Sequence, residues 1–398
     1  MKKTLSLIIL ILICFSINIA QKKSSAADFL KIGQGARLVG LSEAYTGLSD
    51  DANALRGNIA GLANIRFVDI QLTHCDWFDA INSEVLNVTI PLPLLTLGVS
   101  GQVLYYAGDV AIYDDWGVAV GAVKAQDMAY KLAAGMPLPK KGNIKWNIGT
   151  GISVVNRTVD DVHATMVATE FGVLAHIDTR PVAVGKYDYL FKDGIQIGLI
   201  GNNLGTSLDE YNMPMGVKFG ISSLIHKGLI ISIDLNKALS SRFGVLLGLE
   251  YNYKNTIFLR GGYRFMNVTD SFTLGAGFRQ QMNSTIKLNL DYALDPHGPF
   301  GWTHHITLGI STKPSKKKLN ANLYYYEGLN AYVNNDFLTA EKMWKKCLKI
   351  DKNHEEAKKR LKELWVIDDI QRQRERLDAY ENELQKYLTT DSENSENK

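Results

Sequence analysis

The chain has 398 residues, a formal net charge of +3 and an apolar fraction of 46%. So even a charge balance leaves no basic field of the kind nucleic-acid binding requires. Past the first twenty-odd residues there is no apolar run of about 18 residues, which excludes a transmembrane helix but not a transmembrane barrel, whose alternating strands never make such a run.

The chain opens with Met1-Lys2-Lys3 and an apolar run from Leu5 to Ile17. A basic start and a core too short to span a bilayer are the pattern of an export signal, read as residues 1–26. Cleavage is expected after Ala20 or near Ser25-Ala26-Ala27. Cys14 follows Ile13 rather than a small residue, so lipid attachment is not expected there.

Residues 27–64 form a distinct small-residue segment. It runs Ala27-Asp28-Phe29-Leu30-Lys31-Ile32-Gly33-Gln34-Gly35-Ala36-Arg37-Leu38-Val39-Gly40, continues through Asp50-Asp51-Ala52, and ends at Asn58-Ile59-Ala60-Gly61-Leu62-Ala63. Gly33-x-Gly35 is not a dinucleotide loop, because no strand precedes it and no βαβ unit follows. Asp50 and Asp51 are read either as helix caps or solvated groups, or as partners of a luminal arginine such as Arg37.

This stretch resembles the start of the mature chain in the FadL-like and PorV/PorQ-like outer-membrane barrel families. The resemblance implies that 27–64 is a plug folded into the barrel lumen. Its motif residues would be Gly33, Gly35, Ala36, Arg37, Gly40, Asp50, Asp51, Asn58 and Gly61. One position departs from the pattern: Ile59 stands where the families carry proline, and it lacks proline's fixed φ.

From residue 65 to 312 the sequence is a succession of alternating segments. In the clearest, Ile286, Leu288, Leu290 and Tyr292 fall on one face and Lys287, Asn289 and Asp291 on the other. Similar stripes are Leu229, Ile231, Ile233, Leu235 against Ser232, Asp234, Asn236, and Phe243 to Tyr253 against Gly244, Gly248, Glu250, Asn252. A period of two sets these groups on opposite faces of a strand. Counting the segments predicts an all-β transmembrane barrel of about 14 antiparallel strands, with short turns at one end, longer loops at the other, and aromatic residues closing many stripes.

Charge density changes after Thr312: 34 of the following 86 residues are Asp, Glu, Lys or Arg, against 51 of the preceding 312. Residues 313–318 read as a linker. Residues 319–388 read as a helical extension, in which Tyr324, Gly328, Ala340, Trp344 and Leu348 follow the order and spacing of one TPR-like hairpin. One such unit buries its apolar face only against a neighbour. Ile370, Leu377, Tyr380, Leu384 and Tyr387 then recur at heptad-like spacing, and residues 389–398 read as a disordered tail.

No catalytic motif, metal-ligand spacing or cofactor motif is present, so neither an enzyme nor a cofactor is expected. His297, His304 and His305 cluster near Asp295, but adjacent histidines on a strand point to opposite faces. Cys75 and Cys347 lie in segments of different composition and form no disulfide framework. The FadL-like resemblance implies an outer-membrane protein that contacts lipid and passes hydrophobic small molecules such as fatty acids. The PorV-like one implies an adaptor for protein secretion or surface attachment, docking a periplasmic or secreted partner through 319–388. A third reading is a structural envelope protein. An apolar pocket against Asn58 to Leu62 is the feature expected of the first.

Overall fold

The computed structural model describes residues 26–366, apart from 79–80, 109, 141, 180–181, 184–188, 191–193, 209–210, 227, 239–242, 266–270, 284, 313–315 and 335. The readings of an export signal, a heptad-like helix and a disordered tail therefore lie almost wholly outside the described residues. The chain divides into two compact units, residues 1–313 and 314–398.

In the first unit, fourteen antiparallel strands form a closed barrel. They are β1 Val68–Asp76, β2 Ile81–Pro91, β3 Thr96–Tyr106, β4 Ala125–Pro137, β5 Ile144–Val159, β6 Val162–Ile177 and β7 Ile195–Gly205. The second half comprises β8 Gly216–His226, β9 Leu229–Ala238, β10 Gly244–Tyr253, β11 Ile257–Phe265, β12 Ser271–Gln281, β13 Ile286–Pro296 and β14 Trp302–Thr312. Each pairs with its sequence neighbour, and β1 closes on β14 from Val68↔Thr312 to Asp76↔His304. Closure leaves no strand edge, which is what a β-structure needs in hydrocarbon, where an unpaired backbone group costs several kcal/mol.

The faces of the sheet are inverted relative to a water-soluble protein. Every strand exposes at least one large apolar side chain near its middle, among them Leu72, Leu132, Phe171, Leu249, Leu290 and Leu308. The register makes these contiguous, with Leu72 opposite both Leu86 and Leu308, and Leu290 opposite Leu308. The alternate positions face inward and are polar or small: Gln71, Asn87, Ser153, Asp234, Glu250, Thr273 and Asp291 are all buried. Leu, Ile and Phe outside and Gln, Asn, Asp and Glu inside is the arrangement for a lipid exterior and a polar lumen. Among the described residues no helix is long and apolar enough to cross a membrane.

Loop length does not distinguish the two ends as expected. The two longest connections, 107–124 and 178–194, lie at opposite ends of the barrel. The first folds as a hairpin of Val110–Tyr113 and Ala119–Val123.

The second unit contains α-helices at Lys316–Val333 and Phe337–Ile350, with a further helical stretch at 355–366. The first of these begins inside 313–318, the stretch read as a linker: the three lysines after Ser315 are good helix formers and belong to the helix rather than to the connection. The helices close on Ala321, Tyr325, Ala340, Trp344, Cys347, Ala357, Leu361 and Leu364. Trp344 is fully buried, and its indole Nε1–H donates to the Tyr325 carbonyl at 3.1 Å. Gly328 makes room for it: a Cβ there would stand 2.6 Å from the indole Cδ1. Asp336 caps the second helix by accepting from the Thr339 backbone N–H at 3.1 Å. Ala340 is buried at this crossing, and Tyr324 and Leu348 pack partly buried beside it.

Candidate functional site

The lumen of the barrel is occupied by residues 26–65 of the same chain, most of which are buried. The segment has little regular structure: short 3-10 turns at Asp28–Lys31, Ala52–Leu55 and Ile59–Asn64, and one α-helical turn, α1, at Ala36–Gly40. Small side chains and a sequence without long apolar periodicity explain this, since the segment gains its order from the wall rather than from its own helices.

The wall meets it with glycine. Gly135, Gly149 and Gly172 on β4, β5 and β6 face one another in register, and the turn at Ile59–Asn64 lies against them. A Cβ on Gly149 would stand 2.6 Å from the Ala60 nitrogen, and one on Gly135 2.8 Å from the Ala63 nitrogen. Farther round, Gly220 on β8 meets Gly47, Gly262 on β11 meets Ser42, and Gly275 on β12 meets Gly40. Backbone approaches backbone at these points, a distance that only a residue without a side chain allows.

Polar contacts fix the segment around the same circuit. The Ala36 N–H donates to Thr307 Oγ1 at 2.9 Å, and the Ser42 N–H to Thr273 Oγ1 at 3.1 Å. Asp234 Oδ2 accepts from the Tyr45 and Thr46 nitrogens at 3.1 and 2.8 Å. Asn58 caps the Ile59 turn by accepting from the Ala60 N–H, and its Nδ2 donates to Thr46 O and Val173 O.

Arg37 is the hub. Its Nε and Nη2 each lie 2.8 Å from the two oxygens of Glu250, and its Nη1 reaches Asp50 at 2.6 Å and Asp51 at 2.8 Å. Glu250 also accepts from Arg260 Nε at 2.6 Å, and Arg260 Nη1 donates to Asp291 at 2.7 Å. A bidentate arginine–carboxylate pair extended by a second arginine is a rigid arrangement, and removing one member would leave buried charge uncompensated. Burial alone would raise the Asp51 carboxyl, but the charge and hydrogen bond of Arg37 outweigh it and hold it below the usual carboxylate range. Asp51 also accepts from the Asn53 N–H at 2.8 Å, so it serves both as a cap and as an arginine partner. Further pairs are Lys218–Glu43 at 3.1 Å, Lys131–Glu170 at 2.8 Å and Arg264–Asp295.

Of the motif positions, Gly35 adopts φ 106, the left-handed side where a side chain is strained, and Gly61 lies directly against the Ser49 backbone. Gly33 packs on the Val39 side chain. The histidines separate: His305 is buried with Nε2 3.6 Å from Cys75 Sγ, whereas His304 is half-buried and bonded to the Tyr292 hydroxyl at 2.8 Å. Among the described residues no group of three or more His, Cys, Asp or Glu could hold a metal ion. Along Asn58 to Leu62 the described residues pack closely: wall backbone at Gly135, Gly149 and Gly172 meets the turn, and Ile59 and Leu62 join Leu55, Ile65, Ala133 and Ile200 in an apolar cluster. Glu250, Asp234 and Asp291 had shown in the sequence only as members of a polar stripe; Glu43, Lys218, Arg56 and Arg260 carried no signal there.

A sequence profile of the family described as "Uncharacterised protein family (UPF0164)" matches residues 15–221, just over half of the chain. The chain belongs to this family. Among curated proteins none matches it. Solved structures similar to this UPF0164 chain include the CymD monoaromatic hydrocarbon channel, with 12% identity and a TM-score of 0.44 over 71% of this chain and 97% of that one. Others are a Pseudomonas aeruginosa FadL homologue, with 12% identity and a TM-score of 0.43 over 70% and 98%, and the Pseudomonas putida toluene transporter TodX, with 11% and 0.44 over 71% and 98%. The assignment of this chain as a closed barrel rests on its own strand pairing.

Proposed function

We propose that this UPF0164 chain is an outer-membrane channel for small hydrophobic molecules such as fatty acids, with residues 27–64 as a luminal plug. The observation that supports this reading is the largest of the apolar clusters inside the barrel. Phe29, Leu30 and Ile32 pack there against Cys75, Ala129, Val155, Met166, Ala168 and Met213 from the wall and its connections, with Trp77, Leu104 and Met215 beside them. The chain's own apolar side chains occupy a socket that a hydrophobic ligand takes when the plug as a whole withdraws from the wall. An even number of strands puts residues 68 and 312 at one end of the barrel; with that end periplasmic, the helical unit 319–388 faces the periplasm.

The reading is tested by locking the plug. Ser42 and Thr273 hydroxyls lie 2.9 Å apart, so Ser42→Cys with Thr273→Cys, in a background lacking Cys75 and Cys347, should form a disulfide between segment and wall. Proteoliposomes should admit a small hydrophobic dye when the bond is reduced and exclude it when oxidised; equal uptake in both states would refute passage through the lumen.

A second reading, an adaptor for another protein, is favoured by one observation: the separate helical unit exposes Leu338, Trp365 and Val366. Native mass spectrometry of protein extracted from its own membrane would then show a stoichiometric partner, lost on deleting 319–388, and an empty barrel.

A further inference from the structure

The lumen holds a second site, chemically unlike the apolar cluster. A cavity of about 240 Å³ opens between the plug and the wall towards the end of the barrel away from Val68 and Thr312. Four cations line it, Lys31, Arg56, Lys218 and Arg264, against one carboxylate, Glu43. Three have carboxylate partners: Lys31 with Asp28 at 2.8 Å, Lys218 with Glu43 at 3.1 Å, and Arg264 with Asp295. Arg56 has none among the described residues. Its Nη2 donates to the Leu30 carbonyl, and its Nε is buried without a hydrogen-bond partner. Asn202, Asn236 and Ser271 add polar side chains to the lining.

A partly buried guanidinium held by a single carbonyl keeps most of its donors available, in the fork geometry that matches a carboxylate or a phosphate. Desolvating that charge is costly unless a counter-charge arrives. Hydroxyl groups on the same ligand would meet the polar side chains of Asn236 and Ser271. We propose that this cavity binds a small hydroxylated oxyanion, carboxylate or phosphate, with Arg56 as its principal ligand-binding residue. The site differs in place and chemistry from the apolar socket, so it stands whether or not hydrophobic molecules pass through the barrel. Its volume lies just below the about 300–1,000 Å³ of pockets for drug-sized ligands, which suits a sugar acid or sugar phosphate.

Isothermal titration calorimetry of the full chain in detergent micelles tests this with four probes: glucose 6-phosphate, gluconate, inorganic phosphate and uncharged glucose. The expected result is saturable binding of one or more of the three anions, weakening as salt is raised, with none for glucose. Phosphate-bearing probes alone, or gluconate alone, would narrow the class to phosphates or to carboxylates. Arg56→Gln should weaken that binding at least about tenfold, as expected when a charge-assisted pair is lost. Lys140→Gln, at the exposed Lys140–Asp178 pair, should leave it unchanged. If Arg56→Gln fails to fold, Ser271→Asp serves instead, since it adds a negative charge to the lining and should abolish binding. No anion binding up to about 10 mM, binding of glucose equal to that of the anions, or undiminished binding by either lining variant would overturn the proposal.

Discussion

The barrel and the helical unit are built from the same kinds of side chain used with opposite sign. In the barrel Leu290 is 47% exposed and Asp291 beside it is buried; in the helical unit Trp344 is buried and Lys345 beside it is exposed. Both patterns satisfy the rule that apolar surface avoids water. They differ because the outside of the barrel is shaped for hydrocarbon and its inside for backbone, water and charge. Burial alone therefore says little about which residues matter. What matters in the barrel is whether a buried polar group has its partner, and in the helical unit whether a buried apolar group has its space.

The largest effect expected from this contrast is at the luminal charge chain. Glu250→Ala leaves Arg37 and Arg260 facing each other without their shared carboxylate, and should cost about 3–5 kcal/mol. Urea unfolding in micelles would read it, together with new protease cuts between residues 28 and 56. Stability equal to wild type would mean that residues 26–65 are held in the lumen without this charge chain.

The sign reversal itself is probed by placing arginine on an exposed leucine in each unit. Leu290→Arg, at the middle of β13, should cost about 2–4 kcal/mol in lipid, as a charge facing the bilayer core does. In the helical unit the space constraint comes next: Gly328→Ala pushes a methyl group into the Trp344 ring and should cost about 1–3 kcal/mol.

Acid gives a smaller effect confined to the N-terminal segment in the lumen. The Asp51 carboxyl is held below its ordinary value of about 3.9, so its contribution is present above that pH and is lost as pH falls through the lowered value. Protection factors over residues 36–55, corrected for the slower intrinsic exchange in acid, should fall as pH is lowered below the ordinary carboxylate range while those of the strands hold; protection that stays constant until the whole barrel unfolds would show that Arg37 needs no ionised Asp51. Smallest of all, Leu338→Arg, at a side chain 83% exposed, should stay within about 0.5 kcal/mol. A loss as large as that of Leu290→Arg would mean that Leu338 too sits against an apolar medium.

How much of this was legible in the sequence follows from the range of each interaction. Strand faces and strand number could be read because period-two alternation is local: Ile286 to Tyr292 carries its whole signal within one strand. The partners of the inward charges could not, since Arg37 and Glu250 are 213 positions apart and nothing near either names the other. The glycines of the wall read as small residues suited to a crowded interior, but the register that sets Gly135, Gly149 and Gly172 side by side depends on pairing. Helix onset at Lys316 was obscured because lysine suits a helix and a linker equally. The sidedness of the loops was not readable, because the 107–124 and 178–194 connections balance each other across the barrel.

The most direct test of the inverted barrel is oxygen accessibility of spin labels placed one at a time on residues 288 to 293 in lipid vesicles. Leu288, Leu290 and Tyr292 should be accessible to oxygen dissolved in the bilayer, and Asn289, Asp291 and Ala293 should not, giving a period of two. Equal accessibility of both sets, or a pattern in which Leu288, Leu290 and Tyr292 respond only to a water-soluble quencher, would contradict a lipid-facing strand and the account built on it.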